Sequence, residues 1–206
     1  MAFFPKSINS RGDDIGSPQR AETPGWATAQ QMSLPLPDLY GVYAISNGQL
    51  IELETLPGQV PDQRIAVSGT ISQPSRVTLP SGPLAFIVFR RDVATSMSER
   101  VPIRVVARLK RAMMSGPASK RRSAEVGDTW TIRNVTYDFR VAPVDQNKEM
   151  VLVRPTSADF TLPSGRYALV LKGQAYDFTI EGPVTEPAQC LERVEAANGS
   201  FYHECQ

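Results

Sequence analysis

Two alternating apolar runs, Leu39-Tyr40-Gly41-Val42-Tyr43-Ala44-Ile45 and Gln49-Leu50-Ile51-Glu52-Leu53, meet at Ser46-Asn47-Gly48. Asn and Gly both tolerate the positive φ of a two-residue type I′ turn, so alternation around Asn-Gly specifies an antiparallel hairpin over residues 39–53. A similar unit spans 165–178. Gly165-Arg166-Tyr167-Ala168-Leu169-Val170-Leu171 leads through Lys172-Gly173 to Gln174-Ala175-Tyr176-Asp177-Phe178, which repeats the Gly-x-Tyr-Ala-aliphatic and Gly-Gln pattern with one residue of offset. Leu79-Pro80-Ser81-Gly82 and Leu162-Pro163-Ser164-Gly165 are identical, and each precedes an apolar run. Duplicated β elements account for these matches; so does convergence, because Pro-Ser-Gly suits any tight turn.

The rest of the chain repeats the period of two. Val101, Ile103, Val105, Ala107 and Leu109 alternate with Pro102, Arg104, Val106, Arg108 and Lys110, which predicts a strand and weighs against a helix over 104–114. Trp130 to Val141 is a further strand, in which Asn134 changes the parity and implies a bulge. Shorter strands are expected at 65–68, 76–79, 84–89 and 150–153, with a loop over 115–128. Seventeen prolines and 14 glycines are scattered between these runs. The expectation is a mainly β chain: a β-sandwich-like or open-barrel body of about nine or ten short strands with one C-terminal helix.

A length of 206 residues can bury a sizeable core, and 21% charged residues with a net charge of +1 lie far from the composition of a disordered chain. Residues 1–36 lack an apolar period and read as a disordered arm, with Trp26 as a docking anchor, so 37–206 is expected to form a single β-rich domain. Arg11-Gly12-Asp13 in the arm spells a tripeptide that some adhesion receptors bind, which chance readily produces. No stretch approaches the roughly 20 apolar residues of a membrane span, and Met1-Ala2-Phe3-Phe4 is too short for a signal-peptide core.

Cys190 and Cys205 are the only cysteines. In the unit 186–206, Pro187 suits the first position of a helix that places Cys190, Leu191 and Val194 on one face, and Gly199 suits its stop. The extended run after Gly199 retraces the length of that helix, so the sulfurs can meet. A disulfide implies an oxidising compartment, periplasmic or secreted; the missing export signal argues for the cytoplasm instead.

The single histidine, His203, cannot build a two-His metal site, and no Walker loop, Gly-x-Gly-x-x-Gly, Gly-x-Ser-x-Gly or acidic calcium loop is present. No cofactor, metal site or catalytic set is expected. Asp138, Asp177 and Glu181 alternate with apolar residues and read as the wet faces of strands, although a hydrolase with paired carboxylates needs no motif beyond such acids.

Charge supplies the remaining candidate. Arg100, Arg104, Arg108, Lys110, Arg111, Lys120, Arg121 and Arg122 lie in a window without Asp or Glu, while the rest of the chain holds 14 basic and 21 acidic residues. Arg104, Arg108 and Lys110 share a strand face, so a basic stripe continued by Arg111, Lys120, Arg121 and Arg122 can attract a polyanion, or else guards an edge strand against aggregation. No aromatic residue falls in the window, which disfavours nucleic acid. The Gly-x-Tyr-Ala hairpin resembles a piece that recurs in bacterial exported proteins, a likeness that implies no activity. The functional expectation is a non-enzymatic binding or structural module of the bacterial cell envelope, with another envelope protein or an anionic polymer as partner. A carboxylate hydrolase and a polyanion-binding protein are the alternatives.

Overall fold

The computed structural model of the protein describes residues 34–57, 67–94, 96–113, 122–196 and 199–205. The arm up to Ser33, with Arg11-Gly12-Asp13 and Trp26, lies outside them. Twelve strands follow one another: β1 Gly41–Ser46, β2 Gln49–Glu52, β3 Val67–Ile71, β4 Thr78–Leu79, β5 Leu84–Phe89, β6 Arg100–Met113, β7 Arg122–Val144, β8 Asn147–Pro155, β9 Gly165–Leu171, β10 Gln174–Ile180, β11 Cys190–Ala196 and β12 Gly199–Glu204. A single helical turn, α1 Arg91–Ala94, and a 3-10 turn at Pro187–Gln189 complete the described elements.

The strands build one curled sheet in the order β2-β1-β5-β8-β7-β6-β9-β10-β4. Period-two patterning places Val42 and Ala44, Phe86 and Val88, Val151 and Val153, Phe139, Ile103 and Val105, Tyr167 and Leu169, and Tyr176 and Phe178 in one core on the concave side. Phe86, Phe139, Tyr167 and Phe178 are among its largest fully buried side chains. The chain leaving β2 bonds both ends of the curl. Leu53 N–H donates to the Val42 carbonyl at 2.8 Å, Leu56 N–H to the Ala175 carbonyl at 2.8 Å, and Asp177 N–H to the Glu54 carbonyl at 3.2 Å. On the convex side Leu34 and Leu36 pack against a cluster containing Ile87, Phe89 and Met150.

Both related hairpins form with the same turn chemistry. Asn47 and Gly48 have φ of 50° and 75°, and Lys172 and Gly173 have 46° and 78°. These are the paired positive φ angles of the turn that the alternation requires.

The strands β6 and β7 are long because each serves two neighbourhoods. Residues 103–105 of β6 pair with β9 and residues 108–111 pair in parallel with β11; β8 and β3 lie against different stretches of β7. The β6–β7 register breaks between Arg104 and Val106, where β7 carries the extra residues around Asn134, as the parity change implied. It breaks again between Arg108 and Lys110.

Three expectations are corrected. First, Cys190–Ala196 is a strand, not a helix. A helix this short is marginal alone, whereas the open side of β6 offers a row of backbone hydrogen bonds that Cys190–Arg193 accept. The disulfide forms all the same, with a Cα separation of 5.5 Å, because the β11–β12 hairpin sets Cys205 beside Cys190. Second, β7 begins at Arg122, so residues 122–128 are strand rather than loop. Third, β6 is flanked by strands on both sides, so its charges do not guard an edge.

Candidate anion-binding site

With Ile103 and Val105 turned into the core, the alternate residues of β6 face the convex side. Arg104 there is 1% exposed. Its Nε donates to the Arg133 carbonyl at 2.7 Å, an acceptor that the β7 irregularity supplies, while its Nη2 has no partner. Burial lowers the pKa of this guanidinium. Along the same row, Ala168 of β9 lies opposite Arg104, and Asp177 of β10 lies opposite Ala168. Asp177 accepts from Arg166 through both carboxylate oxygens, at 2.9 and 2.8 Å. The Arg166 guanidinium is 4.6 Å from the centroid of the Trp130 ring.

A cavity of about 400 Å³ opens on this face, lined by Val106, Arg108 and Lys110 of β6, Trp130 of β7, Val184, Gln189 and Cys190. Arg108 is opposite Trp130 in the antiparallel pair and opposite Cys190 in the parallel one, which brings three distant segments together. Gln189 is 4% exposed; its Oε1 accepts the Arg166 backbone N–H at 3.0 Å, and its Nε2 is sealed beside Gly165, on the side of Tyr167. The turn carrying it is fixed from outside, because Arg133 Nη1 donates to the Ala188 carbonyl at 2.9 Å and to Glu204 Oε1 at 2.8 Å. Beside Lys110 in the parallel register lies Glu192, buried and 2.9 Å from His203 Nε2.

Of the basic residues picked from the sequence, Arg108 and Lys110 reach this cavity, half-buried. Arg104 does not belong to an exposed stripe; it is sealed under the same face. Arg111 and Arg122 lie on the outer stretches of β6 and β7, in pairs with Ala124 and Met113. Lys120 and Arg121 fall outside the described residues. Trp130 and Gln189 were missed, since neither lies in the charged window and nothing in the string records which strand stands opposite Arg108.

Asp138 and Glu181 are exposed, as a wet face predicts. Asp177 is the correction: it is 6% exposed, because β10 is covered on its convex side and the carboxylate is paired with Arg166. Among the described residues no group of three or more His, Cys, Asp or Glu side chains is arranged to hold a metal.

A second hollow, of about 540 Å³, is lined by Tyr40, Arg90, Arg91 and Asp92. Its charges satisfy one another or their neighbours. Arg90 is bonded to Asp92, Gln174 and Tyr176; Arg91 and Tyr40 both donate to Glu149, and Lys172 donates to the Asp92 carbonyl. It offers a ligand less than the first cavity does.

No helix among the described residues is long and apolar enough to cross a membrane. Comparison with protein-family models, with curated proteins and with solved structures finds no match.

Proposed function

We propose that this chain is a non-enzymatic binding module of the bacterial cell envelope that holds an anionic partner on the convex face of its sheet. The cavity at Arg108, Lys110 and Trp130 carries this reading, since two cationic side chains meet beside an indole. A concave site with a few converging polar groups on an apolar wall is the usual form of a ligand site. The Cys190–Cys205 disulfide supports a compartment outside the reducing cytosol. Pairing of Asp177 with Arg166 removes the only buried acid among the three candidates from hydrolytic use. The polyanion-binding reading therefore joins the envelope reading as one function.

Retention of the full chain on immobilised heparin, measured as eluting salt, tests it. The Arg108→Ser/Lys110→Ser variant elutes earlier if the cavity holds the anion, and equal retention overturns the site. Mass spectrometry of the protein from its native host, without reduction, tests the compartment: two free thiols would remove the argument for export.

A further inference from the structure

A second cationic feature lies eight residues from Arg108 at the start of β6, about 26 Å away at the rise of an extended strand. Arg100 of β6 is directly opposite Arg140 of β7, and Arg140 is directly opposite Arg154 of β8. Directly opposed residues share a face of the sheet. The neighbouring Val101, Phe139 and Val153 enter the core, so the three arginines stand on the convex side, where all are exposed. We infer that this row is a binding site for a linear chain of phosphate groups, separate from the cavity at Arg108.

Like charges placed directly opposite one another destabilise a sheet, and a carboxylate beside them would offset the repulsion. Arg91 and Arg166 have such partners in Glu149 and Asp177. Among the described residues, Arg100, Arg140 and Arg154 have none. Asp138, two residues before Arg140 on the same face and opposite Pro102, is not within ion-pair distance of them. With neighbouring strands about 4.8 Å apart, three uncompensated guanidinium groups rise from backbones that span about 10 Å. Arg100 also lines a hollow of about 140 Å³ with Ser96, Ser98 and Lys172. This is well below the roughly 300–1,000 Å³ of pockets for organic ligands, and it suits a single oxyanion. Lys172 donates to the Asp92 carbonyl, which leaves its other N–H groups for a ligand.

Donor and acceptor chemistry narrows the ligand. Guanidinium and ammonium groups donate and never accept, so they satisfy a ligand that brings acceptors alone. A phosphate chain does so along its whole length, and its oxygens match the fork of an arginine. A glycan also brings hydroxyl donors and ring faces, and a nucleic acid brings bases that stack. Of the flanking side chains Pro102, Asp138, Ala142 and Leu152, only Asp138 accepts a hydrogen bond and none is aromatic. A lipid surface is disfavoured by shape, since the face is convex, and by the placing of the exposed large apolar side chains. Leu39, Tyr40, Val184, Phe201 and Tyr202 all belong to other segments, so nothing beside the row inserts into a bilayer.

Isothermal titration of the full-length, disulfide-bonded chain with inorganic polyphosphate, over a series of salt concentrations, provides the test. Saturable binding is expected, weakened at least about tenfold in Arg100→Gln/Arg140→Gln/Arg154→Gln, a loss of about 1.4 kcal/mol. Arg108→Ser/Lys110→Ser should leave it unchanged. The slope of log affinity against log salt should fall by about 0.7 for each arginine removed, as for a single-stranded phosphate chain. Arg140→Gln alone should give part of both effects. Because the triple variant also relieves opposed like charges, its urea midpoint should be no lower than that of the wild type. Polyphosphate affinity equal in the wild type and the triple variant overturns the row. Tighter binding of heparin, polyglutamate, an oligothymidylate or phosphatidylglycerol vesicles, at equal concentration of charge, overturns the phosphate chain as its ligand. Early elution of Arg108→Ser/Lys110→Ser from heparin, with polyphosphate binding blind to the row, removes this inference and keeps the cavity. The converse pattern keeps the row and removes the cavity.

Discussion

Arg166 and Asp177 form a two-fold hydrogen-bonded ion pair across neighbouring strands, each 6% exposed, with Trp130 over the guanidinium. The pair is the floor beneath the candidate site, and its energetics follow from what removal of either partner leaves behind.

Asp177→Asn leaves a buried guanidinium without its counter-charge, at a cost of about 3–5 kcal/mol. Replacing both partners, as Arg166→Met with Asp177→Leu, removes both charges and is expected to restore most of that loss. Urea denaturation of the single and double variants checks this. A double variant as unstable as Asp177→Asn would show that the pair contributes more than charge balance.

Arg104 makes the opposite case on the same face. It is buried with one carbonyl acceptor, no carboxylate opposite it in the row, and an Nη2 without a partner. A buried ion replaced by an apolar side chain of similar size is often neutral or stabilising by about 1–4 kcal/mol. Arg104→Met is therefore expected to match or exceed the wild type in urea. A loss of more than about 2 kcal/mol, the range of a broken buried network, would show that Arg104 organises the β7 bulge.

How much of this was legible in the sequence depends on the range of the physics. The turns at Asn47-Gly48 and Lys172-Gly173 are local, and alternation around them fixed which residues enter the core. The residues around Asn134 announced their irregularity by breaking parity. Cys190–Ala196 was misread because its helical face is real as a pattern, and the competing partner, β6, lies some eighty positions away in the chain and pairs in parallel. Asp177 was misread because alternation shows two faces of a strand but not that both are covered. The site itself was half visible: Arg108 and Lys110 stood in an acid-free window, whereas Trp130 and Gln189 join them only through register. Two breaks in the β6–β7 ladder put that register beyond reach of counting.

The rim at α1 carries the pH dependence. The Asp92 carboxyl is held below its ordinary 3.8, first by its bond to Arg90, and Glu149 is held below its ordinary 4.5, first by the Tyr40 hydroxyl and then by Arg91. Groups depressed in the folded state contribute stability that is complete above the unfolded pKa and disappears as pH falls through the folded one. Stability is thus expected to be flat near neutrality and to fall below about pH 4.5. Both carboxylates are exposed, so the effect is small and salt-sensitive. For Glu149→Gln/Asp92→Asn the deficit relative to wild type should be largest near neutral pH and shrink on acidification, in urea titrations at low salt. A deficit that grows on acidification would reverse the sign and reject the account.

The two Leu-Pro-Ser-Gly turns give a control that separates backbone strain from contact. Gly82 and Gly165 have nearly equal φ, 143° and 147°, a region that L side chains rarely adopt. A Cβ on Gly82 meets nothing within 4 Å, whereas on Gly165 it falls 2.5 Å from Cδ and Nε2 of Gln189. Gly82→Ala therefore measures the conformational cost alone, about 1–3 kcal/mol. Gly165→Ala adds the displacement of a buried amide and the loss of the acceptor for the Arg166 N–H, so it should be more destabilising by about 1–3 kcal/mol. Equal destabilisation by the two substitutions would mean that Gln189 swings aside freely and that its bond to the Arg166 N–H adds nothing measurable.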